Sequence, residues 1–380
     1  MEYSVDRYNC SRKIMVITNM GCNLDCIYCY EHQKDPKTAF NLEETITKLA
    51  KILKQKTTNG TLIKLLGGEP FLVFPKIKQL CESIWEQPIS EKLLFHATSN
   101  GTLIHGQIKD WLHANRLRFT VKLSLDGNKE AQEINRPGSF DKIDFDFFKT
   151  TWPDVGIKMT ISPKSICYFA ESIKFFHRSG FITIQPNFAE FVDWSPNILT
   201  KTFYQQMMSL VDFYLENPQY TPCKYLRMPI RHILNKHCVF HNCTLGEREI
   251  LDYQTGKCYP CMFFLPSISG KEKSEEMLRL DMTCKDNLLE GECCNCIFNN
   301  ICPTCYAANY MKRGSSSKRD MSLCKMQKIT FFATAKLLTK KYVKNRIGIP
   351  NTKEGYNIYK DIEAISKNIK QFQKIGEEYE

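Results

Sequence analysis

The sequence has little that would place it in a membrane or outside the cell. It contains no apolar run of about 18 residues, the length that a membrane-spanning helix needs. Its first residues, MEYSVDRYNC, lack the apolar core of a secretory signal peptide. These absences argue against a membrane protein, and we expect a cytoplasmic chain with no membrane contact.

Acidic residues are scarce relative to basic ones. The 380 residues include 52 lysines and arginines against 41 aspartates and glutamates, a formal net charge of +11. Part of the excess lies between Lys312 and Lys328, where Asp320 is the one acidic residue. No RNA-binding aromatic signature accompanies these charges, so we interpret them as a solvated basic loop and expect no nucleic-acid partner. A basic balance also suits an acidic peptide.

Cysteine, by contrast, is abundant, with 18 residues. A small secreted chain would use them in disulfides, whereas a long cytosolic chain uses clustered thiols to bind metal. Eleven cysteines lie in the 87 residues from Cys238 to Cys324, and three more, Cys22, Cys26 and Cys29, lie within eight residues. We therefore expect two metal-binding regions.

Residues 14 to 186 alternate short apolar or β-branched runs with amphipathic segments. Repeated strand–helix–strand units predict a parallel sheet with helices outside it. Six such units fit a doubly wound sheet or an incomplete β/α barrel, and in both the active groups lie on loops after the carboxyl ends of the strands. The predicted strands are Ile14–Thr18, Leu62–Leu66, Leu93–Thr98, Thr120–Leu125, Ile157–Ile161 and Ile182–Gln185. The predicted helices span 42–56, 75–86, 105–115, 143–150 and 165–178.

The three clustered cysteines follow the first predicted strand with the spacing Cys22-x3-Cys26-x2-Cys29. A [4Fe–4S] cluster has four irons, so three thiolates leave one iron open to another ligand. Zinc with a distant fourth ligand such as His32, or three unrelated loop thiols, are the alternatives. So tight a group favours the cluster.

The segment CNLDCIYCY, with Tyr28 just before its third cysteine, resembles the CxxxCxxC loop of the radical S-adenosylmethionine (SAM) enzymes. In that family SAM chelates the open iron of a [4Fe–4S] cluster. An electron, supplied by a donor such as flavodoxin or ferredoxin, then cleaves SAM to a 5′-deoxyadenosyl radical, which abstracts hydrogen from a substrate. The resemblance implies SAM and this cluster as cofactors.

Three more motifs resemble those of the same family, each at the end of a predicted strand: LGGEP at 66–70, TSNG at 98–101 and SLDG at 124–127. Arg136, in EINRPGS, matches an arginine that the family directs towards the SAM carboxylate. Their order along the chain favours the family's partial (β/α)6 TIM-like barrel over the open sheet. The residues that the resemblance implies for SAM binding are Tyr28, Gly67, Gly68, Glu69, Pro70, Ser99, Asn100, Ser124, Asp126 and Arg136.

The later cysteines form a second pattern. Paired CxxC motifs are common in zinc knuckles, although five residues between the pairs is tight for a zinc ribbon. The order of cysteines around Gly256 and the CxxC field resembles the SPASM domain, which holds two auxiliary [4Fe–4S] clusters in many radical SAM enzymes that modify peptides. Two residues, Pro303 and Thr304, separate the last pair where the family usually has three. Zinc in place of the second cluster stays open.

The SPASM resemblance implies two ligand sets and so three clusters in all. For the first auxiliary cluster it implies Cys243, Cys261 and Cys305, with Cys238 as fourth ligand and Cys258 as the alternative. For the second it implies Cys293, Cys296, Cys302 and Cys324. The predicted organisation is a radical SAM partial barrel at 1–186, a bridging helical segment at 187–236, a small cysteine-rich α+β SPASM domain at 237–326 and a helical tail at 327–380.

The resemblance fixes the type of reaction better than the substrate. In sulfatase maturases an aspartate follows the cysteine that matches Cys261 and serves as the proposed base, whereas here the position is Met262, which cannot accept a proton. We therefore expect a maturase of a ribosomally made peptide, with or without an acidic leader, that forms a thioether or carbon–carbon crosslink. Formylglycine formation, a haem-precursor reaction and a non-catalytic metal scaffold are the alternatives.

Overall fold

We describe a computed structural model of the chain at residues 10–31, 39–89, 92–234, 249–252, 256–281, 285–344 and 348–379. The strands are β1 (Arg12–Asn19), β2 (Thr61–Gly67), β3 (Leu93–Ser99), β4 (Phe119–Ser124), β5 (Ile157–Ile161), β6 (Ile184–Phe188), β7 (Glu249–Leu251) and β8 (Cys258–Tyr259). The helices are α1 (Leu42–Leu53), α2 (Phe74–Trp85), α3 (Gly106–Ala114), α4 (Lys129–Asn135), α5 (Phe145–Thr151), α6 (Phe169–Arg178), α7 (Asn197–Glu216), α8 (Pro266–Ser269), α9 (Lys271–Leu278), α10 (Tyr306–Arg313), α11 (Met321–Leu338), α12 (Lys353–Lys367) and α13 (Ile369–Tyr379). Among these helices none is long and apolar enough to cross a bilayer.

The chain divides into two compact units that alternate along the sequence. So far as its residues are described, the first unit comprises Met1–Thr160, Gly180–Thr183 and Leu245–Leu280. The second comprises Ile161–Ser179, Ile184–Thr244 and Asp281–Glu380. Each unit is described by itself below.

A parallel sheet organises the first unit. Its strands follow the order β5-β4-β3-β2-β1-β7-β8, and β1 to β5 and β7 run parallel while β8 is antiparallel. Parallel strands share one direction, so β1 to β4 end at the same edge of the sheet, at Asn19, Gly67, Ser99 and Ser124. The predicted α/β class is therefore confirmed, and the motifs that follow these strands are brought to one edge.

The two faces of this sheet differ in polarity. On one face Phe95 of β3 and Phe119 of β4 are buried, and they contact Trp85 of α2 and Trp111 of α3 with ring centroids 5.8 and 5.5 Å apart. Alternate strand residues point to opposite faces, so the other face carries His96 together with Lys64 and Lys122. The aromatic contacts show that α2 and α3 cover the apolar face.

Several elements differ from the sequence prediction. The sixth strand begins at Ile184 rather than Ile182, whose side chain is 54% exposed. Helix α4 was not predicted, because its sequence KEAQEIN has little apolar periodicity; the Asn128 side chain caps it by accepting a hydrogen bond from the Ala131 amide. Strands β7 and β8 were not predicted either, and they extend the sheet beside β1.

The second unit is mostly helical. Helix α11 packs against α7, and the Asp320 side chain caps its first turn by accepting hydrogen bonds from the amides of Ser322 and Leu323. A buried core joins residues of the cysteine-rich region to the C-terminal helices: Met228, Ile230, Phe298, Ile301, Phe331, Ala335, Ala364, Ile365, Phe372 and Ile375. The C-terminal helices thus share a hydrophobic core with the cysteine-rich region, so that region is stabilised by apolar packing.

Candidate functional site

The loop after β1 carries the first three cysteines. It is held locally by a hydrogen bond from the Cys29 amide to the Cys26 carbonyl, 3.0 Å, and by one from the Ile27 amide to the Asn135 carbonyl at the end of α4, 3.1 Å. Helix α4, which the sequence did not predict, therefore supports the loop at its middle.

The Cys26 thiol lies near charged side chains and is partly buried. Burial, with smaller contributions from Asp126, Cys22 and Cys29 and against the effect of Arg136, raises its pKa to about 11. The raised pKa favours the neutral thiol, so a metal centre that bound the thiolate form would have to displace its proton. Among the described residues no three His, Cys, Asp or Glu side chains are arranged to hold a single metal ion.

Gly67 and Gly68 are explained by the backbone that they meet. A Cβ atom on Gly67 would lie 2.3 Å from the Asn19 carbonyl oxygen, and one on Gly68 would lie 2.1 Å from the Gly21 carbonyl oxygen. The Gly68 amide donates a hydrogen bond to Asn19, and the Glu69 amide donates one to Gly21. The glycines therefore let the end of β2 dock on the start of the cysteine loop.

The Glu69 side chain is turned inward. One carboxylate oxygen accepts hydrogen bonds from the Phe71 amide (3.1 Å) and the Ser99 hydroxyl (2.9 Å), and the other accepts one from the Asn100 amide (2.8 Å). Burial raises its pKa, and these hydrogen bonds oppose the rise. Glu69 thus joins the ends of β2 and β3. Pro70 begins the short turn that follows and is buried.

Asn100 connects the turn after β3 to the cysteine loop. Its side-chain amide donates a hydrogen bond to the Asn23 side-chain oxygen at 2.9 Å and lies 4.0 Å from the Cys22 sulfur. Its own side-chain oxygen accepts hydrogen bonds from the amide and hydroxyl of Thr102. Asn23 in turn donates to the Thr102 hydroxyl, so the two loops are fastened on both sides.

Asp126 is the centre of a buried polar network. It is fully buried and accepts hydrogen bonds from the Tyr28 hydroxyl (2.5 Å), the Arg136 Nε (2.9 Å), the Asn135 amide group (3.3 Å) and the Thr160 backbone amide (2.9 Å). The Arg136 guanidinium also lies 5.5 Å from the centre of the Tyr28 ring. Tyr28, Asp126 and Arg136, all predicted to bind SAM, thus contact one another.

Ser124, the last residue of β4, is buried beside this network at the carboxyl edge. The ten residues predicted to bind SAM therefore lie on the cysteine loop or at the ends of β2, β3, β4 and α4. Their contacts with SAM stay a prediction.

The segment after Cys261 also reaches the cysteine loop. The Tyr30 hydroxyl donates to the Met262 sulfur at 3.8 Å, and the rings of Tyr30 and Phe263 meet edge to face with centroids 5.0 Å apart. Tyr30 follows Cys29 directly, so Met262 occupies a position next to the predicted cluster loop. Cys261 and Cys258 belong to the same unit as that loop.

Four cysteines of the second unit are the residues predicted for the second auxiliary cluster. Burial, with smaller contributions from Cys324, Cys296 and Cys293 and against the effect of Arg319, raises the pKa of the Cys302 thiol to about 12. Cys302 and Cys324 line one cavity, and the ligand set of four stays a prediction. The four cysteines come from the turn Gly291–Asn295, the segment before α10, and α11.

The ligand residues predicted for the first auxiliary cluster are only partly within the described part of the chain. Cys238 and Cys243 lie outside the described residues, as does His32. Cys305 belongs to the second unit, where its sulfur caps α10 by accepting a hydrogen bond from the Ala308 amide at 3.5 Å. This ligand set, and the choice between Cys238 and Cys258, stay predictions.

Sequence reasoning missed several residues that support the site. Asn23 lies inside CNLDC, and Asn135 directly precedes Arg136, so each was adjacent to a motif that was recognised. Gln132 accepts a hydrogen bond from the Asp126 amide at 2.7 Å. Only the fold reveals these contacts, because polar residues on a short helix and a loop carry no periodic signal.

Comparisons with known proteins bear on this site. Residues 16–144 match the Radical SAM superfamily. The cysteine-type anaerobic sulfatase-maturating enzyme of Clostridium perfringens is 24% identical over 274 residues, which are 64% of this chain and 72% of that enzyme.

Two solved structures share the fold. Native anSMEcpe with bound AdoMet and Kp18Cys peptide has a TM-score of 0.66 at 21% identity, covering 88% of this chain and 100% of that one. Streptococcus suis SuiB bound to precursor peptide SuiA has a TM-score of 0.55 at 15% identity, covering 82% of this chain and 76% of that one. At these identities the likeness shows a shared fold.

Residues 16–144 match the Radical SAM superfamily, so the family predicted from the sequence is confirmed over this part of the chain. That family implies SAM and one [4Fe–4S] cluster as cofactors.

Proposed function

We propose that this enzyme abstracts hydrogen from a ribosomally made peptide and forms a thioether or carbon–carbon crosslink in it. Either crosslink removes two hydrogen atoms from the peptide. One goes to the 5′-deoxyadenosyl radical, and the other leaves as a proton whose electron passes to an auxiliary cluster. A peptide substrate is supported by the structures of anSMEcpe and SuiB, which hold the peptides Kp18Cys and SuiA.

The side chain at position 262 bears on the choice between crosslinking and formylglycine formation. The residue beside the cysteine loop, in contact with Tyr30, is a thioether and not a carboxylate. A thioether cannot act as the aspartate base that sulfatase maturases carry at this position. This lowers the support for sulfatase maturation; the proton that a crosslink releases must leave to another group.

Formylglycine formation remains the second candidate. The 24% identity to the sulfatase-maturating enzyme of Clostridium perfringens favours it, as does the fold shared with anSMEcpe. A haem-precursor enzyme and a metal scaffold have no such observation in their support.

For the metal centres we propose three clusters. Cys22, Cys26 and Cys29 would hold the one that binds SAM, and the cysteines assigned above would hold the two auxiliary clusters. Reduced thiols are kept in the cytoplasm, where we place the enzyme, with flavodoxin or ferredoxin as electron donor. An acidic leader on the peptide would suit the net charge of +11.

Mass spectrometry of peptide products tests this function. The holoenzyme, SAM and dithionite are incubated anaerobically with cysteine-bearing peptides encoded beside its gene and, separately, with a cysteine peptide of the sulfatase type. We expect a gene-neighbour peptide to lose two hydrogen atoms and gain an internal crosslink. A sulfatase peptide that exchanges its thiol for an aldehyde oxygen, with no crosslink in the other peptides, would overturn the proposal in favour of formylglycine formation.

A further inference from the structure

Arg319 is a buried cation with unpaired donors. It lies in the segment between α10 and α11, and its residue is 8% exposed. Its Nε and one of its terminal nitrogens, Nη2, have no hydrogen-bond partner. Buried donors left unpaired cost about 1–3 kcal/mol each, and more when charged, so such a group calls for an explanation.

Arg319 lines a cavity of about 250 Å³ together with Cys302, Cys305 and Cys324. Its side chain hydrogen-bonds that of Cys302, and the Cys302 and Cys293 thiols act on its charge. Glu190 and Asp320 line the same cavity, but neither is a hydrogen-bond partner of the two unpaired nitrogens. The buried guanidinium is therefore close to sulfur.

Neutral thiols do not satisfy this cation, because a thiol sulfur is a weak hydrogen-bond acceptor. Thiolates and inorganic sulfides bound to iron are anionic and accept N–H hydrogen bonds well. The two unpaired nitrogens of Arg319 thus fit an iron–sulfur cluster at this place better than they fit the bare thiols.

We propose that Arg319 donates hydrogen bonds to sulfur atoms of the cluster held by Cys293, Cys296, Cys302 and Cys324 and raises its reduction potential. This rests on the proposed function, which places a cluster there. Reduction adds one negative charge to a centre that is already anionic. A fixed positive charge and N–H donors stabilise the reduced state more than the oxidised one, so the cluster becomes a better acceptor for the substrate's electron. In this role Arg319 is a positioning residue that acts through the cluster.

A potentiometric titration of the holoprotein, followed by electron paramagnetic resonance without SAM or peptide, tests this role. Arg319→Met removes charge and donors, whereas Arg319→Lys keeps the charge and loses the planar fork. Lys318→Met is the matched control, since it removes the same charge from an exposed neighbour that solvent screens. Iron is counted in every sample.

In Arg319→Met we expect one of the titrating clusters to become harder to reduce by roughly tenfold in its equilibrium constant, equivalent to about 59 mV for one electron. Arg319→Lys should shift less, and Lys318→Met should not shift. Unchanged potentials in Arg319→Met with full iron would overturn the role of Arg319 and leave the cluster in place.

Two further results keep the inference testable if Arg319→Met fails to fold. Wild-type protein labelled with ¹⁵N-arginine should show nitrogen coupling to a reduced cluster, and that coupling should disappear in Arg319→Lys made with the same label. Persistence of the coupling, or its absence in the wild type, rejects the hydrogen bonds. Wild-type protein with zinc or no metal at the four cysteines rejects both the cluster and the inference.

Discussion

At the scale of single residues, Asp126 shows how the site is kept in place. Its carboxylate binds the Arg136 guanidinium in a buried ion pair, with the Arg136 side chain 11% exposed and that of Asp126 fully buried. The Tyr28 hydroxyl of the cysteine loop donates to the same carboxylate. One charged group thus fixes a loop, a helix end and a strand end.

Replacing this carboxylate should be costly. Asp126→Asn leaves the Arg136 charge buried without its counter-ion, and breaking such a pair costs about 3–5 kcal/mol. Asp141→Asn is the control, because the side chains of Asp141 and its partner Lys129 are 73% and 56% exposed and solvent screens the pair, so stability should change little. Urea unfolding of both variants measures the difference, and equal losses would contradict the account.

His96 predicts how stability depends on pH. It is 5% exposed beside the Thr120 hydroxyl at 2.9 Å, and its pKa is well below 6.5 because of burial, with Lys122 and Lys64 adding to the effect. Below pH 6.5 the unfolded chain binds a proton that the folded chain does not. The free energy of unfolding should therefore decrease as the pH is lowered below 6.5, by up to about 1.4 kcal/mol per pH unit.

The His96 contribution is isolated by substitution. In His96→Gln this part of the pH slope should disappear between pH 7 and 5.5 in urea unfolding. His113→Gln, at an exposed position of α3, should keep the slope. The same slope in His96→Gln and wild type would show that the buried imidazole is not its source.

At the scale of elements, the contact between the end of β2 and the cysteine loop decides whether the site forms. In Gly68→Ala the new methyl group would meet the Gly21 carbonyl oxygen, a backbone atom that cannot rotate away. Forced repacking of this kind costs about 1–3 kcal/mol or more. We expect lower stability and less iron per chain in the purified protein.

A second glycine serves as its control. Gly348→Ala adds the same methyl group where no atom of the described residues lies within 4 Å, so stability should change by less than about 0.5 kcal/mol. Urea midpoints and iron content are compared for the two variants. A Gly68→Ala protein with normal iron and stability would show that the loops do not depend on this approach.

Most strands and helices of the first half could be predicted from the sequence, and the reason is periodicity. Ile157–Ile161 was predicted with the observed bounds, since a short apolar run between turn residues has few alternatives. Helix α4 and strands β7 and β8 were missed because they are short and polar or cysteine-rich. Their structure comes from tertiary contacts, such as the pairing of β7 with β1, which no local pattern records.

At the scale of the whole molecule, the candidate site could be predicted as far as its motifs reach. The cysteine loop and the motifs after β2, β3 and β4 are contiguous in sequence, and parallel strands bring them together. Arg319 could not be recognised, because only the fold buries it beside Cys302 and Cys324. The structure also shows that β7 and β8 extend the sheet of the first unit beside β1, while the predicted domain boundaries stay predictions.

The central claim is that the loop of Cys22, Cys26 and Cys29 holds the cluster at which SAM is cleaved. The direct measurement is the release of 5′-deoxyadenosine by anaerobically reconstituted protein given SAM and dithionite, in wild type, Cys26→Ala and Cys167→Ala. Cys167 is an exposed cysteine outside every predicted ligand set. We predict release by wild type and Cys167→Ala and none by Cys26→Ala. Equal release by Cys26→Ala and wild type would contradict the assignment.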